Sequence, residues 1–133
     1  MALDTGRGSR LTSNILTATD LEITLDEGDG PTLVHLRGRL SVDSSPAFRD
    51  QLLAALRGQP TKAVVVDMTE VSYIDISGIA TLIEGLKIAH HRQNILCLQG
   101  LQGRVLHLFE FAGLLDLFET NGGRSASPAS KVS

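Results

Sequence analysis

Val64-Val65-Val66-Asp67-Met68 and, shortly after it, Tyr73-Ile74-Asp75-Ile76-Ser77-Gly78 are the two stretches on which the fold turns. Three consecutive valines suit a strand buried on both faces, the kind found in parallel or mixed sheets covered by helices. From Ser77 the period changes, because Ile79, Leu82, Ile83, Leu86 and Ala89 fall on one helical stripe. The spacing predicts a strand from Lys62 to Met68, a connecting loop, and a helix from Ser77 to about His91. A hydroxyl at such a junction lies where unsatisfied backbone N–H groups and the positive end of the helix dipole gather. A phosphate on Ser77 is tolerable there without unfolding the helix, and it changes the charge that the surface presents.

Upstream, Leu21, Ile23 and Leu25 alternate with polar residues as in a half-buried strand. Gly28-Asp29-Gly30-Pro31 supplies turn chemistry, and Thr32 to Leu40 reads as a second strand, so the pair predicts an antiparallel hairpin. Ser44 and Ser45 before Pro46 mark a helix start, Phe48, Leu52, Ala55 and Leu56 form its stripe, and Gly58 with Pro60 ends it. Downstream, Asn94 to Leu98 predicts a buried strand, Gln102 to Ala112 a third helix stopped by Gly113, and Leu114 to Phe118 a brief edge strand. The sequence predicts an α/β fold, a mixed sheet of four to five strands with amphipathic helices packed on it and the other face partly open. Residues 1–19, rich in Thr, Ser, Gly and Arg, read as a disordered lead-in, 20–119 as the domain, and 120–133 as a disordered tail.

The chain has 133 residues, enough for one domain with a real core, and 42% of them are apolar. A net charge of −3 with interspersed signs favours neither nucleic acid nor an anionic membrane. No apolar run approaches the roughly 18 residues of a membrane helix, and Met-Ala-Leu-Asp-Thr-Gly-Arg is not a signal peptide. The single cysteine, Cys97, excludes an internal disulfide. These features predict a soluble cytoplasmic domain with no metal and no cofactor.

The run Val64-Val65-Val66-Asp67-Met68 … Val71 … Ile74-Asp75-Ile76-Ser77-Gly78-Ile79 resembles the signature of the STAS family. Leu36-Arg37-Gly38-Arg39-Leu40 with Phe48-Arg49 … Leu52, and Val105-Leu106 … Phe111-Ala112-Gly113-Leu114 … Phe118, match in the right order, so the resemblance covers roughly residues 21–119. It implies a STAS-like domain, most closely the anti-sigma factor antagonist branch. By that resemblance Ser77 is the serine phosphorylated by the partner, an anti-sigma factor that is itself an ATP-dependent serine kinase. The unphosphorylated form sequesters this kinase and frees the sigma factor. A serine phosphatase of the metal-dependent type restores binding. The partner-binding residues so implied are Asp75, Ile76, Ser77 and Gly78, with Ser41 and Asp43 on the facing loop.

The chain departs from the family's pattern in three places. Antagonists carry Gly-Glu-Leu-Asp where this sequence has Gly38-Arg39-Leu40-Ser41, which leaves Asp43 as the nearby carboxylate. Position 76 is Ile rather than a small polar residue, as in stressosome-type relatives. The family's final helix is absent or replaced by the Gly/Ser tail. The alternative reading is therefore a scaffold or accessory subunit of a stressosome-type assembly or of a lipid or anion transporter.

Simpler readings stand beside these. Ser77 and Asp75 are each also good helix caps. Ser77 is a poor nucleophile candidate, because the strand-turn-helix elbow needs Gly-X-Ser-X-Gly and residues 75–79 lack the first glycine, so the chain does not read as an enzyme. His90 and His91 point about 100° apart on a helix and suit a solvated helix end better than a metal site. Cys97 reads as a small buried hydrophobe, and Arg37 and Arg39 as a solvated strand face. A phosphoacceptor receiver, with Asp67 as the acceptor, fails because its first strand is followed by a helix and not by a hairpin.

Overall fold

The computed structural model describes residues 12–58 and 63–121, with side chains described for 15–58 and 63–118. The elements run β1 (Thr12–Ala18), β2 (Leu21–Glu27), β3 (Thr32–Leu40), α1 (Ser45–Leu56), β4 (Ala63–Ile74), α2 (Ile76–His91), β5 (Ile95–Gln99), α3 (Gly103–Phe111), a 3-10 turn (Leu115–Leu117) and β6 (Glu119–Asn121). The strands lie side by side in sequence order as a six-stranded sheet. β1, β2 and β3 pair antiparallel, and β3 through β6 pair parallel. Successive right-handed crossovers that all step the same way put every helix on one face. The core lies beneath them, where Leu21, Ile23, Val34, Leu36, Leu40, Val64, Val66, Met68 and Leu98 meet Phe48, Leu52, Leu56, Leu82, Val105 and Phe109.

The mixed sheet and the hairpin between β2 and β3 match the sequence reading, but the sheet has six strands and not four to five. Part of the expected lead-in is a strand. β1 lacks an apolar alternation and forms through its ladder with the edge of β2, from Thr12 opposite Glu27 to Ala18 opposite Leu21. The expected edge strand at Leu114–Phe118 is instead the 3-10 turn, and the edge strand follows it as β6. Burial drives this: Phe118 meets Phe109 edge-on at 6.2 Å between ring centroids, so the chain turns inward before it can pair. The strands of the sheet run from Thr12 to Asn121, and the remaining tail and the residues before Thr12 lie outside the described residues.

β4 is longer than expected, and this decides where the site lies. It continues past Met68 to Ile74, with its inward residues Met68, Val71 and Ile74 spaced by three. The register against β3 slips twice, between His35 and Arg37 and again between Gly38 and Arg39. Each slip adds a residue to β4, so the period of two is broken while the core face stays apolar. The connecting loop expected before the helix is a single residue, Asp75.

Candidate functional site

α2 begins one residue after β4 ends, and Asp75 performs the turn in an extended conformation (φ −119°, ψ −172°). Its carboxylate does the capping: Oδ1 accepts the backbone N–H of Ser77 at 2.9 Å and of Gly78 at 3.3 Å. The backbone oxygen of Asp75 accepts Ile79 N–H at 3.1 Å, and its own N–H donates to Leu40 O at 3.2 Å. Its other carboxylate oxygen accepts Val42 N–H, 33 residues away in sequence, at 3.2 Å. One side chain thus ties the end of β3, the loop that follows it and the start of α2.

Of the two caps open from sequence, Asp75 is the one used. The helix starts at Ile76, and Ser77 is its second residue. Among the described residues the Ser77 hydroxyl makes no hydrogen bond, although its backbone oxygen accepts the Thr81 hydroxyl at 3.0 Å. It is half-buried at the surface, beside Ile76, which is 77% exposed. The first-turn N–H groups expected to be available to a phosphate are those already bonded to Asp75.

The remaining residues named from sequence divide by depth. Asp43 is exposed on the loop between β3 and α1, and its N–H donates to Ser41 Oγ at 3.3 Å. Ser41 is buried: its N–H is held by Ser44 Oγ at 3.0 Å, and that hydroxyl donates to Arg39 O at 2.8 Å. Gly78 is buried as well and acts from below. A Cβ there would stand 2.7 Å from Leu40 Cγ and 2.8 Å from Ile74 Cγ1, so a hydrogen is what lets the helix start seat on the sheet. Sequence reasoning missed Val42, which is 63% exposed on the same loop. The only signal for it was an aliphatic residue set among Ser41, Asp43, Ser44 and Ser45.

The nearby cations are engaged. Arg49 forms two bonds to Glu84, at 2.8 and 2.6 Å, which raise the arginine's pKa and lower the glutamate's. Arg39 pairs with Asp20 at 3.2 Å and lies 4.0 Å over the Tyr73 ring. Among the described residues no base hydrogen-bonds the Ser77 hydroxyl, and the Asp75 carboxylate accepts from backbone N–H groups, so it does not activate that hydroxyl as a nucleophile. Among the described residues no group of three His, Cys, Asp or Glu is placed to hold a metal ion. No described helix is long and apolar enough to cross a membrane. Asp67 lies elsewhere, on the sheet face away from the helices, bonded to His35 at 2.9 Å and to Thr69.

The family described as "Mlab, STAS domain" matches residues 23–119. The chain belongs to the STAS domain family. Among its STAS relatives, the anti-sigma-B factor antagonist of Listeria monocytogenes is 43% identical over 103 residues, covering 75% of this chain and 88% of that protein. The protein of the same name from Staphylococcus aureus is 31% identical over 90 residues, covering 68% and 82%. The STAS fold is shared with the crystal structure of an anti-sigma factor antagonist from Mycobacterium paratuberculosis, with a TM-score of 0.68, 18% identity, and 80% and 91% of the two chains covered.

Proposed function

We propose that this STAS domain is an anti-sigma factor antagonist whose binding to an anti-sigma factor is switched off by a phosphate on Ser77. The observation that carries the reading is the division of labour at the start of α2: Asp75 supplies the cap, so the accessible Ser77 hydroxyl has no structural task. Two relatives, matched over 82% and 88% of their own length, bear the name of that function. The partner is an anti-sigma factor serine kinase in the cytoplasm, a serine phosphatase reverses the modification, and the domain itself catalyses nothing.

Phosphorylation adds about −1.5 to −2 charges. With the Ser77 and Gly78 N–H groups held by Asp75, the phosphate stays at the surface between a carboxylate and the exposed Ile76. The block is electrostatic and steric, and the fold persists. The test pairs two variants against the anti-sigma factor with ATP. Ser77→Ala should bind it but take up no label, and Ser77→Asp should bind weakly with an unchanged circular dichroism spectrum. If both bind as wild type does and Ser77 is never labelled, the reading falls. The scaffold or transporter-accessory reading then takes its place; it draws on the buried Ser41, which stands where antagonists present a carboxylate.

A further inference from the structure

Val42 and Ile76 are the exposed aliphatic residues of this end of the molecule, 63% and 77% accessible, and they sit on different elements. Neither backbone is free to move. Val42 N–H is held by Asp75 Oδ2, and the residues on either side of Val42 are fixed by Ser41 Oγ and Ser44 Oγ. Ile76 is bracketed by the Asp75 turn and by the bonds from Ser77 and Gly78 to Asp75 Oδ1, and Gly78 packs closely on Leu40 and Ile74 beneath it. Both side chains are β-branched and therefore stiff at χ1. Two rigid, adjacent-element aliphatics lose little freedom on binding, which is what makes an anchor effective.

We infer that Val42 and Ile76 form one two-pronged apolar anchor, and that Asp75 is the positioning residue that holds the prongs together without itself touching the partner. The inference rests on the partner-binding function proposed above and specifies its contact. The fitting partner is a protein surface with an apolar cleft wide enough for both side chains. An anionic membrane or nucleic acid is not matched, since the neighbouring Arg39 and Arg49 are already paired with acidic groups. A phosphate on Ser77 defeats the anchor by bringing a dianion to a contact that must dehydrate.

Asp75→Asn isolates the claim. Asparagine keeps one carbonyl oxygen for the Ser77 and Gly78 N–H groups and is a good cap, while its amide group cannot accept from Val42 N–H. The probe is the purified anti-sigma-B factor of Listeria monocytogenes, titrated calorimetrically against wild type, Val42→Ser, Ile76→Ser, their double variant, and Asp75→Asn with and without Val42→Ser. Each single serine variant should lose about tenfold or more in affinity, and the double should lose less than the product. Asp75→Asn should lose about as much as Val42→Ser, and adding Val42→Ser to it should change affinity less than about twofold. In the free protein, Asp75→Asn should speed hydrogen exchange at the Val42 amide and leave the Ser77 amide protected. If wild type does not bind the probe, the antagonist reading fails and the anchor with it. If wild type binds while Val42→Ser or Asp75→Asn matches it, the anchor alone is overturned.

Discussion

β4 and its end contain the same short pattern twice. In Asp67-Met68-Thr69 and in Asp75-Ile76-Ser77, an aspartate Oδ1 accepts the backbone N–H of the residue two ahead, at 3.0 Å in the first and 2.9 Å in the second. In both, Oδ2 reaches across to the β3 side, to His35 Nδ1 at 2.9 Å and to Val42 N–H at 3.2 Å. The two differ in the hydroxyl. Thr69 Oγ1 donates to Asp67 Oδ1 at 2.6 Å, whereas Ser77 Oγ donates to nothing among the described residues. In one place the turn consumes its hydroxyl and is structure alone. In the other the same turn is complete without it, and the hydroxyl has no part in holding it.

The comparison can be broken hardest at the glycines behind the two turns. Gly100 has φ +78°, and a Cβ on it would meet Thr69 Oγ1, with Thr69 N at 2.8 Å and Asp67 Oδ1 at 3.0 Å. Gly100→Ala should therefore cost about 3 kcal/mol or more, from backbone strain and the clash together. It should disturb the Asp67 turn and leave the Ser77 turn intact, as read by urea unfolding and by amide shifts at Thr69 and Ser77. Gly78→Ala drives a methyl into the flexible side chains of Leu40 and Ile74 and should cost about 1–3 kcal/mol in the same urea series.

Thr69→Val removes the consumed hydroxyl and should cost about 1 kcal/mol. It also has a pH signature. Burial pushes the Asp67 pKa up, but the Thr69 hydroxyl and N–H, together with His35, outweigh it and hold the group below its ordinary value of 3.8. A lowered folded-state pKa means stability that is present above the unfolded value and lost as pH falls through the folded one. Wild type should lose this contribution only below about pH 4. In Thr69→Val the folded pKa moves up toward the unfolded one, so the acid loss should be smaller and should finish at higher pH, which urea midpoints measured across the acid range would show. Ser77→Ala is the counterpart and the smallest effect: its stability should stay within about 0.5 kcal/mol of wild type. A larger loss would mean that the Ser77 hydroxyl is consumed too.

Much of this was legible in the chain. The valine run of β4, the stripe of α2 and the Gly28–Pro31 turn each speak through local period or turn chemistry, so the hairpin, the crossovers and the mixed sheet follow from them. β1 was not legible, because Thr12–Ala18 carries no apolar alternation and is made a strand by its neighbour. The far half of β4 was hidden by its two bulges, which space Met68, Val71 and Ile74 three apart and make a strand read as something else. At the site, Asp75-Ile76-Ser77-Gly78 stood out, but which residue caps the helix did not, since both Asp and Ser favour that place. Val42 depends on a bond across 33 residues, and Ser41 on the inward turn of its loop, neither of which leaves a local trace.

The one-residue join at Asp75 also indexes the rotation of α2. A helix advances 100° per residue, so nothing between Ile74 and Ile76 can absorb an insertion or a deletion. One added residue would swing the stripe of Ile79, Leu82 and Ala89, now inward, around the helix axis and out of phase with the core. It would carry Ser77 round by the same angle. The length of this junction thus sets the azimuth at which the hydroxyl faces the surface, and the hydrophobic core polices that length.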